Sequence, residues 1–383
     1  MKVPFFRLRL TQTEEREVRK VLRSGWITSG PAAGEFEKKI KEITGAKYAI
    51  AVSSCTAGLH LTLEASGIRN GDEVITTPFT MAATIEAILY CGAIPVFADI
   101  NPATLNIDPT QIRKKITKKT KAILTVDMAG WPCDYDQVRL LAKNNKLILI
   151  EDAAHSLGGY YKNKPIGSIA DATVFSFYST KNVTTGEGGM VTTNQKNLAD
   201  RIRHLSLHGM TSSGWRRYFG GGWKYDITAL GYKYNLSDLA AGLGLGQLAR
   251  FSELQDKRQR IAERYFSNLI DYGGYIEPPY QDNISRHAWH LFIIKLNSKK
   301  WKIGRNQLII ELEKNGVGCG VHFIPVYRFS YFKKLLRISA KNFPHSENSY
   351  NTIISLPFYP DLKYSEVDYV CEMLIKLIGK YRR

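Results

Sequence analysis

The 383-residue sequence has few cysteines and no long apolar segment. Its five cysteines lie far apart, so no C-x-x-C pair exists to bind zinc or to exchange disulfides. The eight histidines include no H-x-x-x-H pair on a predicted helix, which leaves a metal site without support. No stretch approaches the roughly 18 apolar residues of a membrane span, and the N-terminus lacks the apolar core of a signal peptide. We therefore expect a soluble cytoplasmic protein with reduced cysteines, no bound metal and no membrane partner.

Acidic residues are also scarce relative to basic ones. The sequence has 35 Asp plus Glu against 53 Lys plus Arg, a formal net charge of +18. A positive field of this kind favours nucleic acids, anionic membranes or phosphorylated small molecules. The basic residues are spread through the chain in short clusters, whereas a nucleic-acid footprint is more often one dense stripe. The sequence therefore predicts no nucleic-acid partner.

Short apolar runs alternate with helical patterns between Tyr48 and about Thr193. The runs are YAIAVS, EVIT, IPVFAD, KAILTV, KLILIED and ATVFSF. Alternation of strands and helices predicts an α/β fold, with a large domain built on a mainly parallel sheet that is flanked by helices. Ligands of such sheets bind at the carboxyl ends of the strands.

A helix is predicted before this sheet, from near Thr13, whose hydroxyl would cap it, to near Gly25. Helical periodicity returns over residues 236–270 and includes the run AAGLGLGQLA. That run does not complete G-x-G-x-x-G and does not follow a strand, so we interpret its glycines as small residues that permit close helix packing.

A smaller C-terminal α/β domain is predicted beyond the turn-rich segment DYGGYIEPPYQDN. Its predicted strands are WHLFIIKL and VGCGVHF, and its predicted helices cover residues 304–314 and 365–378. We assign residues 1–250 to an N-terminal arm and the large, ligand-binding domain. Residues 251–383 then form the continuation of the long helix and the small domain.

The densest chemical signal is FSFYSTKNVTTGEGGMV, in which an apolar strand runs into a polar loop that carries Lys181. A lysine there lies at the ligand edge of the sheet. KLILIEDAAHS ends a second buried strand with Glu151 and Asp152, and a carboxylate in that position is either a cap or the partner of a buried cation. A solvated lysine is the ordinary alternative, but the neighbouring carboxylate favours a functional role.

A third element, AVSSCTAGLH, passes from a strand into a helix through small hydroxylated residues. The N–H groups and partial positive charge of a helix N-terminus can bind a phosphate, although plain N-capping is the simpler interpretation of this segment taken by itself. An amine, a carboxylate and a phosphate site together match pyridoxal phosphate. This cofactor needs a lysine for its aldehyde, an acid for its pyridine nitrogen and an anchor for its phosphate.

In these motifs the chain resembles the DegT-like nucleotide-sugar aminotransferases, a branch of the fold type I pyridoxal-phosphate enzymes. The resemblance covers nearly the whole chain in order. The matching motifs are SGWITSGP, EFEKKIKEITGAKYAIAVSSCTAGLHLTL, GDEVITTPFTMAATIEAI, GAIPVFADI, IEDAAHSLGG, FSFYSTKNVTTGEGGMV, LGYKYNLSDLAAGLGLGQL and HAWHLFIIKL.

The resemblance implies a role for each of three residues around the cofactor ring. Lys181 is implied to be the Schiff-base lysine and the general acid and base of the proton shift. Asp152 would pair with the pyridinium nitrogen. His155 stands where the family has Gln or His against the phenolic oxygen of the cofactor.

The resemblance also implies a phosphate site shared between two subunits. Ser176, Thr56 and Ala57 would bind the phosphate from one chain, and Asn235 would reach it from the neighbouring subunit of a homodimer with composite active sites. This chain has the order K-Y-N where N-Y-R is commoner, so either Asn235 or Lys233 makes that contact.

Two positions depart from the family pattern. Met81 occupies the position of an aromatic residue that stacks on the cofactor ring, and its thioether is a polarizable but non-planar substitute. Cys55 replaces a glycine beside the phosphate turn, where a small buried residue is the simpler interpretation. Trp26, His208, His322 and Tyr327 fall in loops that border the substrate in similar proteins, and each of them is equally compatible with packing.

The resemblance implies a ping-pong aminotransferase that uses pyridoxal 5'-phosphate, with pyridoxamine phosphate as the intermediate form. L-glutamate or a similar donor would supply the amino group to a nucleoside-diphosphate keto sugar, at C4 by likeness of the stretch GWKYDITALGYKYNLSDL. Alternatives are a keto-cyclitol, a 3-keto sugar, or a basic binding protein that kept the fold and lost the chemistry. Dehydrating relatives carry His at the position of Lys181, which argues against dehydration.

Overall fold

The computed structural model describes residues 1–220 and 222–383. The α-helices are α1 Gln12–Ser24, α2 Pro31–Thr44, α3 Cys55–Ala65, α4 Ala82–Tyr90, α5 Pro109–Arg113, α6 Tyr135–Asn144, α7 Lys196–Leu205, α8 Gly214–Phe219, α9 Asp238–Leu248, α10 Phe251–Leu269, α11 Arg305–Lys314, α12 Ser330–Leu336, α13 Pro344–Thr352 and α14 Tyr364–Tyr381. The strands are β1 Tyr48–Val52, β2 Glu73–Thr76, β3 Ile94–Phe97, β4 Thr120–Val126, β5 Ile148–Asp152, β6 Tyr160–Tyr161, β7 Lys164–Pro165, β8 Ala172–Ser176, β9 Gly189–Thr193, β10 Ile276–Glu277, β11 Ser285–Arg286, β12 Phe292–Leu296 and β13 Ile353–Leu356.

A seven-stranded sheet in the order β1-β9-β8-β5-β4-β2-β3 organises the larger part of the chain. The pairs from β8 through β5, β4 and β2 to β3 are parallel, whereas β9 runs antiparallel to both of its neighbours. All six apolar runs singled out in the sequence form strands of this sheet, which confirms the predicted α/β class. The reversed strand β9 returns the chain immediately after the loop that carries Lys181.

Both faces of the sheet are buried, which explains why its strands are apolar runs rather than alternating patterns. On one face Ile123, Leu149 and Phe175 pack in one core cluster. On the other face Ile150 and Val174 pack against α3 in a second cluster. Successive side chains of a strand point to opposite faces, so the last two residues of β5, Glu151 and Asp152, lie on different sides of the sheet.

Helix α1 packs closely against α9, as the glycine-rich run predicted. A Cβ added at Gly246 would lie 2.5 Å from Cα of Glu14, so only glycine allows this approach. The prediction that Thr13 caps the helix is wrong. The N-cap is Thr11, whose hydroxyl accepts from the Thr13 N–H, and the carboxylate of Glu14 closes a capping box. Thr13 lies inside the first turn, where its own N–H needs a cap.

The C-terminal part contains the three-stranded sheet β10-β12-β13, covered by α10, α11 and α14. Both predicted helices and the strand in WHLFIIKL are confirmed. The strand predicted over VGCGVHF is wrong, because residues 317–323 form only isolated bridges, Val3 to Val317 and Gly320 to Ser355. A Cβ at Gly318 would lie 2.6 Å from the backbone nitrogen of Phe5, so the N-terminal segment packs directly on this backbone.

Val3 shares the core cluster of residues 261–378, so the N-terminus packs on the C-terminal part of the chain. The boundary at residue 250 stays a prediction. Within the described ranges, no helix combines the length and the apolar character needed to cross a bilayer.

Candidate active site

A cavity of about 450 Å³ lies at the carboxyl ends of β1, β5 and β8. It brings together seven of the residues that the sequence singled out, namely Thr56, Met81, Asp152, His155, Ser176, Lys181 and His322. Met81 precedes α4, and its side chain is 57% exposed, so it borders an open part of the cavity. A larger cleft of about 620 Å³ beside Trp131 and Tyr280 contains none of the predicted site residues, so size alone does not identify the active site.

Lys181 is held in a loop that is closed at its base by hydrogen bonds. The Phe177 N–H donates to the Gly188 carbonyl at 2.9 Å, and the Thr185 N–H donates to the Phe177 carbonyl at 3.0 Å. Within the loop, the Lys181 N–H donates to the Tyr178 carbonyl at 2.9 Å. Desolvation lowers the pKa of Lys181 to about 8, although Cys55 and Asp152 act in the opposite direction. Charged and neutral amine are therefore both accessible near neutral pH.

Asp152 ends β5 and is only 5% exposed. Its Oδ2 accepts a hydrogen bond from the Thr84 hydroxyl at 2.8 Å, and its Oδ1 accepts one from the Ala154 N–H at 3.2 Å. The Cys55 thiol lies 3.8 Å from Oδ1. Burial raises the pKa of Asp152, and these donors with Lys181 oppose that rise. These hydrogen bonds hold the carboxylate in place, but they do not put a full positive charge beside it. A protonated ring nitrogen would supply that charge.

Glu151 belongs to a separate buried network on the opposite face of the sheet. It accepts hydrogen bonds from the Tyr135 hydroxyl at 2.5 Å and from the Thr173 hydroxyl at 2.6 Å. Tyr135 also lies 2.8 Å from Asp127, and burial next to Asp127 raises the pKa of Glu151 well above its ordinary value. Burial and the neighbouring Asp127 thus favour the protonated form of Glu151, which is not among the residues that line the cavity.

The turn between β1 and α3 forms one end of the cavity. Ser54 is the N-cap of α3, and its hydroxyl accepts from the Ala57 N–H at 3.0 Å. A Cβ added at Gly189 would lie 2.6 Å from the carbonyl carbon of Ser54, so β9 packs backbone to backbone against this turn. Cys55, Thr56 and the cap line the cavity together with Ser176 from the end of β8. A helix N-terminus flanked by hydroxyl groups suits a phosphate.

His155 is neutral and has a defined tautomer. Burial, with Lys181 and His322 nearby, lowers its pKa well below its ordinary value. Its Nδ1 accepts the Ala129 N–H at 3.2 Å, so the ring proton is on Nε2 and is available to an acceptor in the cavity. His290 packs on His155 with ring centroids 4.3 Å apart.

Five residues of the predicted site, Ala57 among them, lie outside the residues that line the cavity. Trp26 packs in an aromatic cluster with Trp215 and Phe219, with ring centroids 5.3 and 5.4 Å away. His208 is exposed in a loop. Tyr327 is buried, and its hydroxyl donates to Glu347 at 3.0 Å.

Asn235, the fourth, forms hydrogen bonds within its own chain. Its amide donates to the hydroxyl of Ser29, and its carbonyl oxygen accepts from the Lys233 ammonium at 2.7 Å. Ala57, predicted to bind the phosphate, contributes the N–H that Ser54 caps. The two alternatives for the phosphate contact between subunits, Asn235 and Lys233, are thus hydrogen-bonded to each other.

The structure adds site residues that the sequence interpretation did not single out. Thr84 donates to Asp152, while His290 and Phe323 line the cavity beside His155. Thr84 lies in the motif GDEVITTPFTMAATIEAI, and His290 lies in HAWHLFIIKL. Both motifs were recognised in the sequence, but neither residue was assigned a role of its own.

An amine of lowered pKa, a buried carboxylate, a neutral histidine donor and a capped helix N-terminus surround one cavity. This donor set fits pyridoxal phosphate, whose aldehyde, pyridine nitrogen, phenolic oxygen and phosphate need those four kinds of group. Together with the seven-stranded sheet, the site defines a pyridoxal-phosphate-dependent enzyme of fold type I.

The chain belongs to the DegT/DnrJ/EryC1/StrS aminotransferase family, whose model matches residues 9–375. It is 45% identical over 367 residues to the spore coat polysaccharide biosynthesis protein SpsC of Bacillus subtilis, covering 95% of this chain and 94% of that protein. The family resemblance seen in the sequence is confirmed, and the chain is an aminotransferase that depends on pyridoxal phosphate.

Solved structures agree with this assignment. The putative sugar aminotransferase Spr1654 from Streptococcus pneumoniae, in its PMP form, superposes with a TM-score of 0.93 at 34% identity, covering 99% of this chain and 100% of that one. DesI, determined in the presence of its TDP-sugar product, superposes with a TM-score of 0.87 at 31% identity, covering 97% and 91%.

Proposed function

We propose that this aminotransferase transfers the amino group of L-glutamate to the C4 ketone of a nucleoside-diphosphate sugar, most favourably a 4-keto-6-deoxyhexose. The observation that carries the proposal is the single cavity in which Lys181, Asp152 and the N-terminus of α3 converge. The TDP-sugar product of the related DesI and the net charge of +18 support a nucleotide-sugar acceptor, because a basic protein attracts a diphosphate.

The protonation state of each residue in the cavity suggests its role in the reaction. The cofactor, when bound, supplies an electron-withdrawing ring conjugated to the carbon that gains or loses a proton. Lys181 Nζ, with a pKa of about 8, would take and return that proton. Asp152, held by Thr84, would keep the pyridine nitrogen protonated, and His155, whose Nδ1 accepts from Ala129, would offer its Nε2–H to the phenolic oxygen. Ser176 and the α3 N-terminus would hold the phosphate.

We further propose that the active form is a homodimer with composite sites. Several large apolar side chains of residues 218–230 are exposed, with Tyr218 at 76%, Trp223 at 80% and Leu230 at 90%. Large exposed apolar side chains gathered in one segment are typical of a protein interface. It precedes the Lys233–Asn235 pair in the chain, so a second copy that covers the patch would also meet these two polar groups. A C2 interface builds both sites reciprocally.

The substrate is tested by offering the pyridoxamine form of the enzyme a panel of 4-keto nucleotide sugars, 3-keto nucleotide sugars and a keto-cyclitol. Product mass and the return of the visible cofactor absorbance are followed, with Lys181→Ala as the inactive control. We expect turnover of a 4-keto sugar. Turnover of the cyclitol or a 3-keto sugar alone would refute the C4 assignment and leave the aminotransferase intact.

The composite site is tested by mixing two inactive dimers. Lys181→Ala is combined with Asn235→Ala or, separately, with Lys233→Ala, and subunit exchange is verified by mass. If the second residue acts in the partner's site, mixed dimers regain activity at one of their two sites. Mixtures that exchange subunits and stay inactive would contradict the proposal.

A further inference from the structure

A second cluster of ligand-type side chains lies on α3 and at the end of α4, apart from the residues that line the cavity. His60 and Glu64 are four residues apart on α3 and therefore share one helix face. Cys91 follows the last residue of α4. One ring nitrogen of His60, a carboxylate oxygen of Glu64 and the sulfur of Cys91 all lie within 4.8 Å of one another.

If the cluster served only to pack α3 against α4, a buried histidine with an unpartnered ring nitrogen would not be expected at position 60. The side chain is 5% exposed, and its Nε2 is buried without a hydrogen-bond partner. Its Nδ1 lies 3.4 Å from the hydroxyl of Tyr234, which leaves Nε2 as the nitrogen available to a ligand. A buried polar atom without a partner carries a desolvation cost unless something binds it.

We propose that His60, Glu64 and Cys91 bind a divalent transition-metal ion, with zinc as the best match. Imidazole nitrogen, thiolate sulfur and one carboxylate form the mixed donor set that Zn²⁺ accepts, whereas Mg²⁺ and Ca²⁺ prefer oxygen alone. The thiol releases its proton to solvent as the Zn–S bond forms, so thiolate and carboxylate together balance the two charges of the ion. Half-buried Glu64 leaves the fourth position open to a water molecule.

The surroundings of His60 give the ion a structural role. The rings of Tyr232 and Tyr234 stack on each other with centroids 5.1 Å apart, and His60 meets both edge-on. With the ion on Nε2, the ring proton is on Nδ1, which would donate to the Tyr234 hydroxyl oxygen and so orient the imidazole, as outer groups do at metal sites. An ion here would join α3, which carries the phosphate turn, to α4 and to the segment that contains Lys233 and Asn235.

The test measures zinc binding directly, without an activity readout. Tag-free holoenzyme is titrated with ZnCl₂ against a chromophoric chelator, and bound zinc is counted by mass spectrometry after gel filtration. The variants are His60→Gln, Glu64→Gln and Cys91→Ala. The matched control is Cys371→Ala, which removes another buried free cysteine in the C-terminal core.

We expect one zinc per chain in the wild type and in Cys371→Ala, and an affinity lower by about 100-fold or more in His60→Gln and Cys91→Ala. Glu64→Gln changes a half-buried side chain and serves as the second variant if the buried substitutions do not fold, as judged by circular dichroism. Zinc should also protect Cys91 of the wild type from alkylation. No stoichiometric zinc in the wild type, or equal affinity in a folded ligand variant and the control, would overturn the proposal.

Discussion

Thr84→Val tests whether the charge state of Asp152 is set by the hydroxyl that contacts it. Thr84 donates to Asp152 Oδ2 at 2.8 Å, the shortest contact of that carboxylate among the described residues. Because this hydroxyl hydrogen is committed to Asp152, the Thr80 hydroxyl at 2.8 Å donates to the Thr84 oxygen and completes a chain. Valine keeps the shape of threonine and removes the donor.

The size of the effect follows from the kind of bond that is lost. A hydrogen bond to a charged group contributes about 1.5–3 kcal/mol, and one pKa unit corresponds to about 1.4 kcal/mol. Losing a donor to the ionised form favours the protonated form, so the pKa of Asp152, already raised by burial, should rise by a further one to two units, roughly. Activity needs the carboxylate, so it is lost as pH falls through this pKa.

The assay is the pH profile of kcat/KM with glutamate as donor. In Thr84→Val the acid limb should move upward by about one to two pH units, and Thr80→Val should move it in the same direction by less. Thr62→Val is the matched control, because that buried hydroxyl bonds the Gly58 carbonyl instead of Asp152. An acid limb in Thr84→Val that coincides with the wild type would refute the reasoning.

Four further substitutions have expected outcomes. Lys181→Ala should abolish transamination with an unchanged circular dichroism spectrum, because one amine both binds the cofactor and moves the proton; undiminished turnover would disprove its role. Asp152→Asn should still bind cofactor but lose at least about 100-fold in kcat, since an amide cannot hold the pyridinium proton, and a rate near wild type would point to another group. Gly246→Ala should destabilise the fold by about 1–3 kcal/mol in urea unfolding, because the new Cβ meets the Glu14 backbone. Gly379→Ala, in α14 with open space around it, should instead be neutral or stabilising, and equal effects of the two would contradict the packing argument.

Features that depend on residues close together in the chain could be predicted from the sequence. The strands, the turn before α3 and the loop of Lys181 are each encoded in one short segment, and the parallel sheet then places their ends together. Residues that act across elements were not individually predictable. Thr84 on α4 and His290 before β12 meet Asp152 and His155 only through the tertiary fold.

Packing between segments that are distant in the chain also explains why the strand prediction near residue 320 was wrong. The segment VGCGVHF alternates like a strand, but its glycines face the N-terminal residues around Phe5 and do not extend the sheet. The proposed zinc ligands match neither C-x-x-C nor H-x-x-x-H, because Cys91 joins His60 and Glu64 from another helix. A search by spacing along the chain overlooks such a set.

The hydrogen bonds between Phe177 and Gly188, and between Thr185 and Phe177, close the base of the lysine loop. Ser176 and Gly189, which flank this loop, are paired in the sheet; Ser176 lines the cavity, and Gly189 packs against the Ser54 turn, where we propose that the phosphate binds. Ser176, at the proposed phosphate site, and the amine of Lys181 thus belong to one hairpin, and this hairpin sets the distance between them. Inserting or deleting one residue within 178–187 would leave the proposed phosphate site in place but would shift the Lys181 amine away from the cofactor carbon with which it reacts. Natural length variation in this family should therefore fall elsewhere in the chain.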